Sequence, residues 1–229
     1  DADRLAGNLT MRFAQAGEII QALDGKEYSL EDGMNVIADD NGVLAIGGIM
    51  GGEETGCTEE TTNVFLEVAL FDPIRTATTG RKLGIESDAR YRFERGLDPE
   101  SANWGAEAAT KLILEFCGGE ASELTAAGEM PKWARPVSLR LTRLKSFGGV
   151  DVESDEAVDI LTRLGFKPKV EGGVIRGTTP SWRADVESEN CIVEEVLRVR
   201  GFDEIPVVPL ERNSSLPAPA IGIPQRRAA

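Results

Sequence analysis

Glu67 stands where a carboxylate needs a reason. Read as a strand, residues 63–71 place Val64, Leu66, Val68 and Leu70 on one face. The other face carries Phe65, Glu67, Ala69 and Phe71. A lone carboxylate among aromatics costs free energy unless it is paired or faces a wet pocket. Two readings stay open: an ion pair with Arg81 or Arg92, or a pocket carboxylate that accepts a hydrogen bond from a ligand hydroxyl. Upstream, GGIMGGEETG (47–56) lacks the Lys-Ser/Thr of a P-loop and does not fit GxGxxG. Its glycines allow either tight strand packing or close approach of backbone to a ligand. The run SDARYRFERGLDP (87–99) sets arginines and carboxylates around Tyr91 and Phe93, the composition of an ion-pair-laced loop. A second acidic group gathers Asp185, Glu187, Glu189, Asn190, Glu194 and Glu195. Asn190 and Glu194 share a helix face, so the group is either a solvated face or an oxygen-ligand site of the kind Mg²⁺ takes.

Composition removes other chemistry. The 229 residues contain no histidine, so neither a Ser-His-Asp nor a Cys-His nucleophile system, nor His-ligated zinc, can be built within the chain. Cys57, Cys117 and Cys191 are odd in number and far apart, which suits neither a disulfide framework nor a metal-ligand spacing. Against 39 acidic residues stand 25 basic ones, a formal charge of −14. Autonomous nucleic-acid binding is disfavoured by that balance, since phosphate contacts need clustered Lys and Arg. The absence of a long apolar run and of a signal peptide predicts a cytoplasmic protein with no membrane segment.

Two domains have to position these residues. Residues 1 to about 71 read as β-rich, with Leu9, Met11 and Phe13 alternating and turns at Asp24-Gly25 and Asn41-Gly42. A helix follows over about 101–117, with Ser101 as its cap and Gly118-Gly119 as its stop. A boundary falls near Pro131–136, giving domains over 1–134 and 135–208 and a Pro/Ala-rich linker over 209–229. The second domain reads as a strand over Val137, Leu139 and Leu141, then a helix capped by Ser154. A hairpin around Glu171-Gly172-Gly173 and a helix from about Glu187 to Arg200 complete it. The fold class is α+β throughout, the second domain winged-helix-like in outline. Asp1 at the start and QRRAA at the end read as cut ends of a longer polypeptide.

Four motifs, in order across both domains, resemble the bacterial phenylalanine–tRNA ligase beta chains. They are GIMGGEETG (48–56), NVFLEVALFDP (63–73), GRKLGIESDARYRFERGLDP (80–99) and PSWRADVESENCIVEEVLRVRGFDEIP (180–206). The resemblance implies that the first domain is that family's editing domain, which hydrolyses tyrosine mis-attached to tRNA-Phe. Glu67 then matches the acid that recognises the tyrosine hydroxyl. Gly51 and Ala89 match small residues lining the pocket, with Gly48 and Ser87 as further candidates. It also implies Mg²⁺ positions at Asp185, Asn190, Glu194 and Glu195, with Asn190 standing where the family usually has Asp. The implied partners are the alpha chain, in an (αβ)₂ heterotetramer, and tRNA-Phe, with no DNA and no membrane. The family's His-Ala-Phe segment would stand just before Asp1, so part of the editing domain is missing here. The competing expectation is a scaffold or RNA-binding module of the synthetase in which editing has been lost.

Overall fold

The computed structural model describes residues 1–209. The expected linker, apart from residue 209, lies outside them. The chain divides into two compact units, Asp1–Pro136 with Thr178–Glu187, and Val137–Gly177 with the described part of Ser188–Ala229.

The first unit begins with six strands, β1 (Thr10–Phe13), β2 (Ile19–Gln21), β3 (Glu27–Ser29), β4 (Asn35–Ala38), β5 (Val43–Ile46) and β6 (Met50–Gly51). β1, β4, β5 and β6 form an antiparallel sheet in that order, in register Met11↔Ile37, Val36↔Ile46 and Ile46↔Met50. β2 and β3 form a separate hairpin around Asp24-Gly25. The core gathers Ile20, Leu30, Met34, Val36, Ile46, Ile49 and Ile85. Ile85 belongs to the turn between α1 (Pro73–Leu83) and α2 (Asp88–Phe93), so hydrophobic burial ties that turn to the glycine segment at Ile49. α3 (Ser101–Cys117) follows.

α1 has strong local instructions. Asp72 accepts the backbone N–H of Arg75 at 2.7 Å, Pro73 opens the first turn, and Gly84 ends it in the left-handed region. Its apolar stripe is weak, which is why periodicity does not reveal it. α2 replaces the expected loop over the start of 87–99. Ser87 caps it, accepting the N–H of Arg90 at 3.1 Å.

Other expectations need correction. Residues 63–71 form no strand; no sheet partner lies beside them among the described residues, and Val64, Phe65, Leu66 and Val68 are exposed. β1 forms, but Met11 and Phe13 face outward, Phe13 lying under the Arg75 guanidinium at 4.7 Å. Ser101 does not cap α3. It is the first helical residue, and its hydroxyl donates to the Asp98 carbonyl at 2.6 Å.

In the second unit β7 (Pro136–Arg140), β8 (Lys169–Glu171) and β9 (Val174–Thr178) make a sheet in the order β7-β9-β8. β8 and β9 are antiparallel about Gly172-Gly173. The helices are α4 (Leu141–Ser146), α5 (Ser154–Arg163) and α6 (Glu189–Arg200). Leu141 therefore opens a helix instead of ending a strand, and Glu153, not Ser154, holds the cap position of α5. Leu139, Leu144, Ala157, Ile160, Leu161, Ile175, Ile192, Val193 and Val196 are buried.

Candidate functional site

The glycine segment and the start of α2 are joined by one side chain. The Ser87 hydroxyl donates to the Ile49 carbonyl at 2.6 Å while accepting the Arg90 N–H. Gly48 is pressed from the other side. Its φ is +69°, and an added Cβ would stand 3.0 Å from Phe71 Cδ2 and 3.0 Å from Phe93 Cγ. Phe71 and Phe93 themselves pack with centroids 5.4 Å apart, tilted by 56°. Phe71 ends the segment that carries Glu67, so one aromatic pair draws together the glycine segment, α2 and residues 63–71. Gly51 is different: its φ is ordinary, and a Cβ there would meet only the end of the Leu23 side chain, 3.2 Å away.

Glu67 has no hydrogen-bond or ion-pair partner among the described residues, so of the two open readings the ion pair with Arg81 or Arg92 does not form. Part of its surface meets solvent, yet surrounding protein atoms desolvate its carboxyl and raise its pKa. Ala89 is exposed on α2, two residues after Ser87. Of the five expected pocket residues, the structure thus ties Gly48 and Ser87 together through packing and a hydrogen bond. Gly51 packs against Leu23 instead. Phe71 and Phe93 were missed as positioning residues; their placement opposite a left-handed glycine is not a periodic signal.

A separate cleft of about 500 Å³ runs along α2, lined by Glu86, Ser87, Asp88, Arg90, Tyr91 and Glu94. Arg90 is fixed inside it, donating to Glu94 at 3.1 Å and to the Ile85 carbonyl at 2.7 Å. The ion pairs expected for 87–99 are therefore Arg90–Glu94 and Arg95–Glu94, the latter at 3.1 Å.

The four expected Mg²⁺ positions do not fit a metal as the structure places them. The Asp185 carboxylate is held by Arg183 at 2.6 and 2.8 Å, which lowers its pKa. Asn190 Oδ1 accepts from Arg143 at 3.2 Å, and the buried Glu195 is paired with Arg198 at 2.7 Å. Glu194 is exposed. Among the described residues no three acidic or cysteine side chains are placed to share a cation. Arginines take the lone pairs a hard cation would use. Glu189 shows the same preference most strongly. It accepts from the Arg140 backbone N–H at 2.8 Å and from its guanidinium at 2.6 and 3.0 Å, which lowers its pKa to about 2.

Comparison with known proteins bears on both units. Residues 1–118 match the B3/4 domain, and residues 137–202 match the tRNA synthetase B5 domain. Over 229 residues the chain is 52 % identical to a phenylalanine–tRNA ligase beta subunit from Rhodospirillum rubrum, covering 99 % of this chain and 28 % of that protein. A beta subunit from Brucella abortus is 51 % identical over 216 residues, covering 94 % of this chain and 27 % of its own length. The chain thus spans little more than a quarter of these relatives. Among solved structures, an N-terminal fragment of the phenylalanyl-tRNA synthetase beta-subunit from Pyrococcus horikoshii superimposes with a TM-score of 0.44 at 14 % identity, covering 86 % of this chain and 57 % of that one.

Proposed function

The chain belongs to the family of phenylalanine–tRNA ligase beta subunits, and from that premise we propose that its first unit removes tyrosine wrongly attached to tRNA-Phe by hydrolysing the aminoacyl ester. The observation that carries this reading is the unpartnered, desolvated carboxyl of Glu67. Tyrosine and phenylalanine differ by one hydroxyl, which an apolar synthetic pocket rejects only weakly. A second site lined by an unsatisfied acceptor inverts that preference. The tyrosine hydroxyl satisfies Glu67, whereas phenylalanine leaves it desolvated, at a cost of about 1–3 kcal/mol, or about ten- to a hundred-fold.

In this reading Gly51 and Ala89 leave room for the ring. Gly48, held by Phe71 and Phe93, and Ser87, bonded to the Ile49 carbonyl, fix the wall opposite. The chain has no histidine to act as base. A positioned water and the ribose hydroxyl of the substrate supply the nucleophile and the proton path, and the rate comes from orientation and backbone donors. The longer protein would work in the cytoplasm with the alpha chain, as an (αβ)₂ heterotetramer that charges tRNA-Phe. Magnesium, in this scheme, serves the ligase reaction of the assembled enzyme and not Asp185, Asn190 and Glu195, whose oxygens arginine occupies.

The test is deacylation of Tyr-tRNA-Phe against Phe-tRNA-Phe by the longer enzyme and its Glu67→Ala variant. The wild type prefers the tyrosyl ester; the variant loses that preference by about ten-fold or more. An unchanged preference removes Glu67 from recognition.

A further inference from the structure

We propose that Asn41 is a site of covalent self-modification in the folded protein: its side-chain amide cyclises onto the Gly42 nitrogen, and the turn ages into aspartate and isoaspartate. The chain has seven asparagines, and Asn41 is the one followed by glycine. Glycine has no Cβ to obstruct the approach of a neighbouring side chain to its nitrogen. Around Gly42 the space is open as well, since nothing lies within 4 Å of where a Cβ would stand.

The fold separates Asn41 from its counterparts. Asn35 is buried, at 7 % exposure. Asn63 commits its amide to Asp3, donating to both carboxylate oxygens at 3.1 Å. Asn103 lies in α3 and Asn190 in α6, where the helix fixes the backbone dihedrals. Asn41 is exposed in the turn between β4 and β5, outside any helix or strand. Its backbone N–H is bonded to Asp39, but its side-chain amide has no hydrogen bond among the described residues. An amide with no competing partner is free to swing onto the next backbone nitrogen, and the two reacting groups are already neighbours.

Asp39 supplies the other half of the arrangement. Its Oδ1 accepts the Asn41 N–H at 2.8 Å and the Gly42 N–H at 3.2 Å, while Oδ2 accepts the Ala6 N–H at 2.8 Å. These bonds keep the carboxylate ionised. A base that already touches the proton to be removed meets the geometric requirement for general-base catalysis. The step needs no reactant but water. The Gly42 nitrogen bonds to Asn41 Cγ, and its proton passes by way of Asp39 to the departing amide nitrogen. Ammonia leaves, and a five-membered succinimide remains. Water then opens the ring. Attack at Cγ gives aspartate in an ordinary backbone; attack at the backbone carbonyl gives isoaspartate, with the chain running through Cγ. The same turn anchors the N-terminal segment, through the Ala6 N–H on Asp39 and the Asp40 N–H on the Ala6 carbonyl at 3.0 Å. Isoaspartate lengthens the turn by one backbone carbon and loosens that anchor.

The test ages the longer protein for days at physiological temperature and pH, beside its Asn41→Gln variant. Gln keeps the amide, but its extra carbon prevents closure of the five-membered ring. Trypsin releases residues 27–75 as one peptide, because no Lys or Arg lies between Lys26 and Arg75. That peptide holds Asn35, Asn41 and Asn63, so mass spectrometry with fragmentation compares three asparagines in one fragment. Asn41 is expected to deamidate about ten-fold or more faster than either of the others. Part of the product accepts a labelled methyl group from S-adenosylmethionine through an isoaspartyl carboxyl methyltransferase, and the variant peptide accepts none at position 41. Amide exchange at Ala6 and Asp40 quickens in the aged wild type and not in the aged variant, whose melting curve matches that of fresh wild type. Deamidation of Asn35 or Asn63 ahead of Asn41 overturns the proposal. So does deamidation of Asn41 only after unfolding in urea, which would show that the native turn protects it.

Discussion

Glu67 combines two properties that a structural carboxylate rarely keeps together. It is desolvated, and it lacks a partner. Its folded-state pKa is raised above the ordinary 4.5, so between those two values the folded chain binds the proton and the unfolded chain does not. Stability therefore falls as pH rises through that window, and at neutral pH the ionised group opposes folding. Glu67→Gln is expected to leave the first unit as stable as wild type at pH 4 and as stable or more so at pH 7, while removing the tyrosyl preference. Thermal melts at both pH values check the first part and deacylation the second; a variant markedly less stable at pH 7 would reveal a stabilising ion pair instead. The sequence singled out Glu67 through a strand alternation that the fold does not use. What was legible is the anomaly itself, a carboxylate within an apolar run. What was not legible is that residues 63–71 run without a sheet partner among the described residues, because pairing is a non-local fact.

At the scale of elements, the site depends on how α2 is attached to the glycine segment. The Ser87 hydroxyl serves two backbones at once, as cap for Arg90 and as donor to Ile49. Ser87→Ala loses a cap worth about 1 kcal/mol and leaves the Ile49 carbonyl without its donor, at about 1 kcal/mol more. Ser87→Thr keeps both bonds. The expected outcome is a lowered Tm for the alanine variant and a near-normal one for the threonine variant; equal Tm values would show that the link adds no stability. Gly48→Ala belongs to the same argument, since a left-handed φ costs an L-residue about 1–2 kcal/mol before the contact with Phe71 and Phe93 is counted. The hairpins at Asp24-Gly25 and Gly172-Gly173, and the helices ending at Gly118 and Gly201, were legible because turn residues and helix stops act locally. α1 carried the same class of signal in Asp72, Pro73 and Gly84, but its stripe was too weak for periodicity to find. Side-chain caps were misplaced by one residue at α3 and α5, where glutamate takes the position expected of serine without bonding the backbone.

Over the whole chain, two separate cores mean that each unit meets acid on its own terms. The first holds Glu18 on Arg12, with its pKa lowered by that bond, and Asp39 on the N–H groups of Ala6, Asn41 and Gly42, lowered likewise. Glu67 pulls in the opposite direction. In the second unit Glu189 is lowered from 4.5 to about 2 by Arg140 and is flanked by Arg143 at 3.8 Å. A depressed pKa means stability that is fully present above 4.5 and is lost as pH falls toward 2. Glu189→Gln removes that window. The variant is expected to be less stable than wild type at pH 7, and the two converge near pH 2, with the change confined to the second unit. Amide exchange reads each core separately: Val36 and Ile46 for the first, Leu144 and Val196 for the second, all nearly inaccessible. Reduced protection at Leu144 and Val196 alone is the expected pattern. An equal reduction at Val36 would mean that the two units unfold as one, and the division into separately stabilised bodies would be wrong.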